Sequence, residues 1–254
     1  MGKLSGKTAL VTGSSRGIGR ATAVGLAREG ALVAVHYAHK EEAAQETVEL
    51  IEKDGGRAFT VGAELGVPGD IDRLFRGLEA GLTQRTGRTT LDILVNNAAA
   101  TSNGDAPEDV SAEEFDRMFA VNVKAPFFIT QRALRLIPEG GRVINISSGM
   151  TRLANPTQAV YVMTKGALEQ LTLNLARHLA PRQITINNVL PGVTDNGSEI
   201  FQIPEVRDQL SQMSAFKRLA QPEEVATVVV FLATDEARWI TGTSLDATGG
   251  SLLG

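Results

Sequence analysis

Short apolar runs alternate along the chain with longer segments whose apolar residues recur every three or four positions. Thr8-Ala9-Leu10-Val11 is the first run, and after a glycine-rich turn residues 20–29 have helical spacing. A second strand is predicted at 31–35. An amphipathic helix at 41–53 follows, with Ala44, Val48 and Ile51 on one face and Asp54-Gly55-Gly56 closing it. Residues 57–61 read as a third strand, 70–82 as a helix, 84–90 as a polar exposed loop, and 91–95 as a fourth strand. Ser111-x-x-Glu114 is a capping box that opens a long helix running through Asn122 and Pro126 towards Leu136. Pro126 has no N–H to give the carbonyl of Asn122, so a local kink is expected there.

The β-branched run 142–146 predicts a fifth strand, 184–189 a sixth and 243–246 a last one. Gln221-Pro222-Glu223-Glu224 starts a helix, with proline early and acids in the first turn. Residues 195–213 are the least regular part; a substrate loop is expected at about 193–215, because loops beyond strand ends carry such contacts. No repeat, low-complexity tract or linker interrupts the alternation. It therefore predicts one α/β domain over 1–254, a parallel sheet with right-handed crossovers and helices on both faces.

Composition narrows the classes of function. The 254 residues are 43% hydrophobic and 21% charged, with a net charge of -4, so there is no basic excess for nucleic acid or an anionic membrane. The chain has no cysteine, which excludes disulfides and thiolate metal sites and suits a reducing cytoplasm. No apolar run approaches the ~18 residues of a membrane span. The start leads into a short strand rather than a signal-peptide core, so a cytoplasmic protein is expected.

Tyr161-Val162-Met163-Thr164-Lys165 places a phenol and an ammonium one helical turn apart on one face. A cation within ~4–6 Å lowers a phenol pKa by roughly 1–3 units, and Lys165 is placed to supply it. Ser148, at the end of the fifth strand, is positioned to hold a carbonyl oxygen beside that phenol. The turn Thr12-Gly13-Ser14-Ser15-Arg16-Gly17-Ile18-Gly19 stands between a strand and a helix, where glycines let backbone approach a diphosphate and the helix start favours the anion. A glycine turn without a ligand is the plainer alternative.

The tip of the second strand, His36-Tyr37-Ala38-His39-Lys40, has no acid to receive ribose hydroxyls before Glu41. Arg16, His39 and Lys40 instead offer groups for a 2′-phosphate, and Arg16 suits it best because its planar fork matches phosphate oxygens. NADPH is therefore expected over NADH. The alternative is that Lys40 and both histidines are merely solvated. Glu64 and Leu65, past the third strand, face the expected adenine edge, while Asn96 and Asn97 fit either ligand contact or hydrogen bonds between strand ends.

In order and spacing, Thr12-Gly13-x-x-x-Gly17-x-Gly19, Asn96-Asn97-Ala98, Asn122, Ser148, Tyr161-x-x-x-Lys165 and Pro191-Gly192 resemble the short-chain dehydrogenase/reductase family over essentially the whole chain. The resemblance implies a doubly wound Rossmann fold with a sheet of seven strands, and Asn122, Ser148, Tyr161 and Lys165 as a catalytic tetrad, with Ser147 the second choice for the serine. It implies ketone reduction, in which Tyr161 protonates the developing alkoxide and Ser148 holds the oxygen. Lys165 would lower the phenol pKa, bind ribose and connect through water to Asn122.

The implied cofactor contacts are Gly13, Ser15, Arg16, Gly17, Ile18 and Gly19, then Tyr37, Ala38, His39, Glu64 and Leu65. Asn97, Ala98, Ala99, Pro191, Gly192, Val193 and Thr194, with Tyr161 and Lys165, complete them. The substrate contacts are Ser148, Asn155, Tyr161, Gly192 and Asn196, and no metal is implied. Three residues depart from the family pattern: Ala99 for a glycine, Glu64 for an aspartate and Asn196 for a threonine.

Residues 146–152, 161–166 and 191–197 are similar to actinomycete reductases that tailor aromatic polyketides, especially those acting on the C-6 ketone of angucyclinones. That likeness implies a polycyclic ketone substrate and a broad apolar pocket walled by 153–155 and 200–213. Other readings are a 3-oxoacyl-(acyl-carrier-protein)-type reductase or another carbonyl reductase of the family, and a protein that binds NADP to sense redox state. Family members are commonly homodimers or homotetramers, and the apolar face of 225–232 with Trp239-Ile240 is either core or a subunit contact.

Overall fold

Strands in this chain are apolar on both sides, as a sheet covered on both faces requires. The computed structural model, which describes residues 2–253, contains β1 (Thr8–Val11), α1 (Gly17–Arg28), β2 (Leu32–Tyr37), α2 (Glu41–Lys53), β3 (Arg57–Gly62), α3 (Asp70–Thr86) and β4 (Ile93–Asn96). The second half holds α4 (Ala112–Phe119), α5 (Ala125–Ala133), β5 (Arg142–Ile146), α6 (Ala159–Leu179), β6 (Thr185–Pro191), α7 (Pro204–Ser211), α8 (Pro222–Ala233) and β7 (Ser244–Ala247). All pairings are parallel, in the order β3-β2-β1-β4-β5-β6-β7. This is the parallel sheet expected from the alternation, in the doubly wound, seven-stranded form that the family resemblance implies.

Because side chains alternate along a strand, each strand feeds two cores. Ala9, Val11, Val33, Val35, Ile144 and Ile146 face α1, α2 and α8, while Leu10, Leu32, Leu94, Val143 and Ile186 face α3, α5 and α6. Val225, Val229 and Leu232 of α8 belong to the first core and pack on α1, so that face is spent inside the protomer. Trp239 stays 94% exposed. Among the described residues no helix is long and apolar enough to cross a membrane.

The second core also holds a polar row. Asn96, Asn145, Asn188 and Ser244 stand in register on β4, β5, β6 and β7. Asn96 donates to Asn145 Oδ1 (2.8 Å), Asn145 to Thr172 Oγ1 (2.8 Å), Thr172 to Asn188 Oδ1 (2.6 Å) and Asn188 to Ser244 Oγ (3.0 Å). Buried amides are tolerated when they satisfy one another, and Thr172 thereby fixes α6 along the sheet.

Several boundaries differ from expectation. The helix expected at 20–29 begins inside the glycine turn, at Gly17. β2 continues past residue 35 through His36 and Tyr37, because β3 keeps pairing with it as far as Tyr37↔Gly62. α3 runs on to Thr86 where a loop was expected: Arg85 lies over the Phe59 ring (4.6 Å), and the helix stops only at Gly87, φ 70°. The long helix breaks into α4, a π-turn at 120–124 and α5, so the kink demanded by Pro126 takes the form of a π-bulge around Asn122. Only half of the capping box forms. Ser111 Oγ accepts from Glu114 N (3.1 Å), but the Glu114 carboxylate turns inward to Asn103 N (2.9 Å) and Nδ2 (3.1 Å).

Candidate active site

Crossovers leave the sheet in opposite directions on either side of the β1–β4 pair, which opens a crevice at the carboxyl ends of the strands. A cleft of about 790 Å³ lies there. Its floor is the glycine turn, and the glycines are demanded by contact: a Cβ on Gly19 would sit 2.3 Å from Gly13 O, and one on Gly13 2.9 Å from Ala98 Cα. Gly13 also has φ +64°, a left-handed backbone that favours glycine.

Side chains from three other elements hold this turn. Asn97 Nδ2 donates to Thr12 O (2.8 Å) and Gly13 O (3.0 Å). Arg20 Nη2 grips Ser15 O (2.7 Å) and Ala43 O (3.1 Å), tying the turn to α2. His36 is buried, which removes the alternative of a merely solvated ring for it. Its Nδ1 accepts from Gly13 N (2.9 Å) and its Nε2–H meets Ala63 O (2.8 Å), so the ring is neutral, and burial lowers its pKa to about 4.

At the end of the cleft below β2, Arg16, Tyr37, Ala38, His39 and Lys40 line it, and among the described residues the carboxylate in the lining is Glu64, from beyond β3. Arg16 is exposed and has no carboxylate partner among the described residues, while His39 lies 3.6 Å from Glu64. Ile18, Glu64, Leu65, Ala98, Ala99, Pro191, Gly192, Thr194 and Asn196 line it too. Val193 does not; its carbonyl accepts from Ala220 N (3.0 Å). Asn155 lies outside the lining, exposed, with Oδ1 accepting from Thr157 (3.0 Å). The expected pocket wall at 200–213 contains α7, and the side chain of Ile200 lies outside what is described.

Ser148, Tyr161 and Lys165 meet at the other end. Ser148 Oγ accepts from Met150 N (3.2 Å) at the mouth of the turn 149–152. Lys165 Nζ donates to Ile146 O (2.8 Å), is 5.6 Å from the Tyr161 ring centre, and has its pKa lowered to about 8 by burial. Tyr161 departs from expectation. Burial raises the phenol pKa, and only the Ser148 hydroxyl acts against it. A lysine that spends its ammonium on a backbone carbonyl is a weak acidifier of its neighbour.

Asn122 does not line the cleft. Its Nδ2 donates to Ala100 O (2.8 Å) and Thr164 Oγ1 (3.1 Å) and its Oδ1 accepts from Ala100 N (2.7 Å), so it locks the loop after β4 to α6. Sequence reasoning missed Arg20 and the Arg152–Glu169 pair. All look like surface charges on helices, and only the fold supplies their partners.

A family profile described as Enoyl-(Acyl carrier protein) reductase matches residues 13–251. The chain belongs to the short-chain dehydrogenase/reductase family. The crystal structure of the angucycline C-6 ketoreductase LanV with bound NADP is 65% identical with a TM-score of 0.98, covering 100% of this chain and 98% of LanV. LanV with NADP and rabelomycin matches at 62% identity and TM-score 0.95, covering 100% and 99%. LugOII, described as a promiscuous reductase that catalyses keto-reduction at C1 during lugdunomycin biosynthesis, is 66% identical, TM-score 0.97, covering 98% and 99%. Versicolorin reductase 1 of Aspergillus parasiticus is 39% identical over 263 residues, 98% of this chain and 97% of its own.

Proposed function

We propose that this protein is an NADPH-dependent ketoreductase that reduces the C-6 ketone of an angucyclinone-type polycyclic polyketide to a secondary alcohol. One observation carries the reading: a single cleft joins an arginine-flanked glycine cradle to Ser148, Tyr161 and Lys165. The glycine turn at the floor of the cleft fits a diphosphate, and exposed Arg16 with Lys40 fits a 2′-phosphate rather than a free ribose. LanV, crystallised with NADP and with NADP and rabelomycin, supports cofactor and substrate class alike.

NADPH held there supplies the hydride. Ser148 donates a hydrogen bond to the substrate oxygen, and Tyr161 gives its proton to that oxygen as charge develops. A phenol held protonated by burial is ready for this role as general acid. Lys165 refills the proton from its buried seat, while Asn122 holds Ala100 and Thr164 so that the loop after β4 and α6 keep their spacing. The apolar substrate wall expected at 153–155 and 200–213 contributes nothing to the described lining of this cleft, whereas Gly192 and Asn196 do line it. Assembly as a homodimer or homotetramer is part of the proposal; exposed Phe127, Leu173 and Trp239 support it.

The test is NADPH and NADH oxidation with rabelomycin-like and simple ketones, alongside Tyr161→Phe. The expected result is NADPH-dependent C-6 alcohol and a loss of about 10²–10⁴-fold in Tyr161→Phe. Turnover of simple ketones with the angucyclinone untouched would sink the substrate assignment, and reduction at C-1 instead of C-6 would sink its regiochemistry.

A further inference from the structure

Glu169 lies one helical turn beyond Lys165 and two beyond Tyr161, and is only 9% exposed. A carboxylate buried to that degree is stable only with partners. Both of its oxygens are taken by residues that flank Ser148. Ser147 Oγ donates to Oε1 (2.8 Å), and Arg152 Nη2 reaches Oε2 (2.5 Å). Arg152 Nη1 also donates to Thr151 Oγ1 (2.9 Å), and that hydroxyl donates to Ser148 O (2.8 Å). The segment 147–152 is thus tied to α6 on both sides of Ser148.

We propose that Glu169 and Arg152 are positioning residues that hold the Ser148 hydroxyl in register with the Tyr161 phenol; this rests on the ketoreductase reading above. The physical need is plain. β5 ends at Ile146 and the ladder reaches one residue further, where Ser147 N donates to Val189 O (2.9 Å), so the sheet does not fix residues 148–152. Without the clamp the turn is held mainly by its own short-range bonds. Misplacing a group by ~1 Å costs up to ~10²-fold in rate.

The test uses Arg152→Gln, Arg152→Lys, Glu169→Gln and the double Gln variant. It measures kcat, KM, NADPH affinity by fluorescence titration and Tm, with a crystal structure of Arg152→Gln. Arg152 is half-exposed, so its variants are expected to fold. Arg152→Gln should lose about tenfold in kcat with NADPH affinity and Tm near wild type, and Arg152→Lys should recover most of it. The double variant should be no slower than the slower single, because the pair acts as one unit.

Unchanged kcat in Arg152→Gln, or Ser148 Oγ unmoved in its crystal structure, would overturn the proposal. A rate loss matched by an equal loss of NADPH affinity would do the same. Tyr161→Phe separates the two readings. If that control keeps full activity the ketoreductase mechanism fails, whereas an inactive control beside a fully active Arg152→Gln removes only the clamp.

Discussion

Replacing Lys165 by methionine should stabilise the cofactor-free protein while removing its activity. The ammonium is wholly buried, and its pKa falls from 10.5 to about 8. Holding it charged at pH 7 therefore costs about 3 kcal/mol, at ~1.4 kcal/mol per pKa unit. Methionine removes that cost but orphans the carbonyl of Ile146, a loss of order 1–2 kcal/mol. The net expectation is a gain of roughly 1–2 kcal/mol.

The pH dependence is the sharper test. The folded state binds fewer protons than the unfolded one between about 8 and 10.5, so wild-type stability climbs with pH through that window relative to the variant. The advantage of Lys165→Met should shrink by about 2 kcal/mol between pH 7 and 9.5, measured by equilibrium urea unfolding. A variant less stable than wild type at pH 7, or a gap indifferent to pH, would refute the reasoning.

Other expectations follow from the same geometry. Gly19→Ala puts a methyl 2.3 Å from Gly13 O, so NADPH affinity should fall at least about tenfold while circular dichroism stays native. Arg16→Leu should lower kcat/KM for NADPH by about tenfold or more, the worth of one charge-assisted hydrogen bond, and leave NADH unchanged. His36 has its folded pKa lowered to about 4 from 6.5, so only the unfolded chain takes up its proton in that window. Stability should drop by about 2–3 kcal/mol as pH falls from 6.5 to 4.5, and His36→Gln should flatten that slope in urea melts.

Strand positions were legible because both-face burial leaves continuous apolar runs, and the order of glycine turn, Ser148, Tyr161 and Lys165 announced which ends meet. Pro126 foretold the break at Asn122, though not its π form, since backbone arithmetic locates a lost hydrogen bond without saying how the helix repairs it. The end of α3 was missed because Gln84-Arg85-Thr86 is polar, and the ring that supports Arg85 comes from β3. α7 was missed inside an apparently irregular stretch. Electrostatics read worst of all. Spacing alone put an ammonium beside a phenol, whereas desolvation, invisible to spacing, sets the direction in which each titrates.

The row of Asn96, Asn145, Asn188 and Ser244 has a consequence for how this sheet assembles. Sliding any one of these strands by a single rung would swing its amide into the layer occupied by Ile144 and Val189 and leave its neighbours' donors stranded. Misaligned pairings are thereby made costly during folding as well as in the native state. A residue inserted within β4, β5 or β6 should therefore not be tolerated.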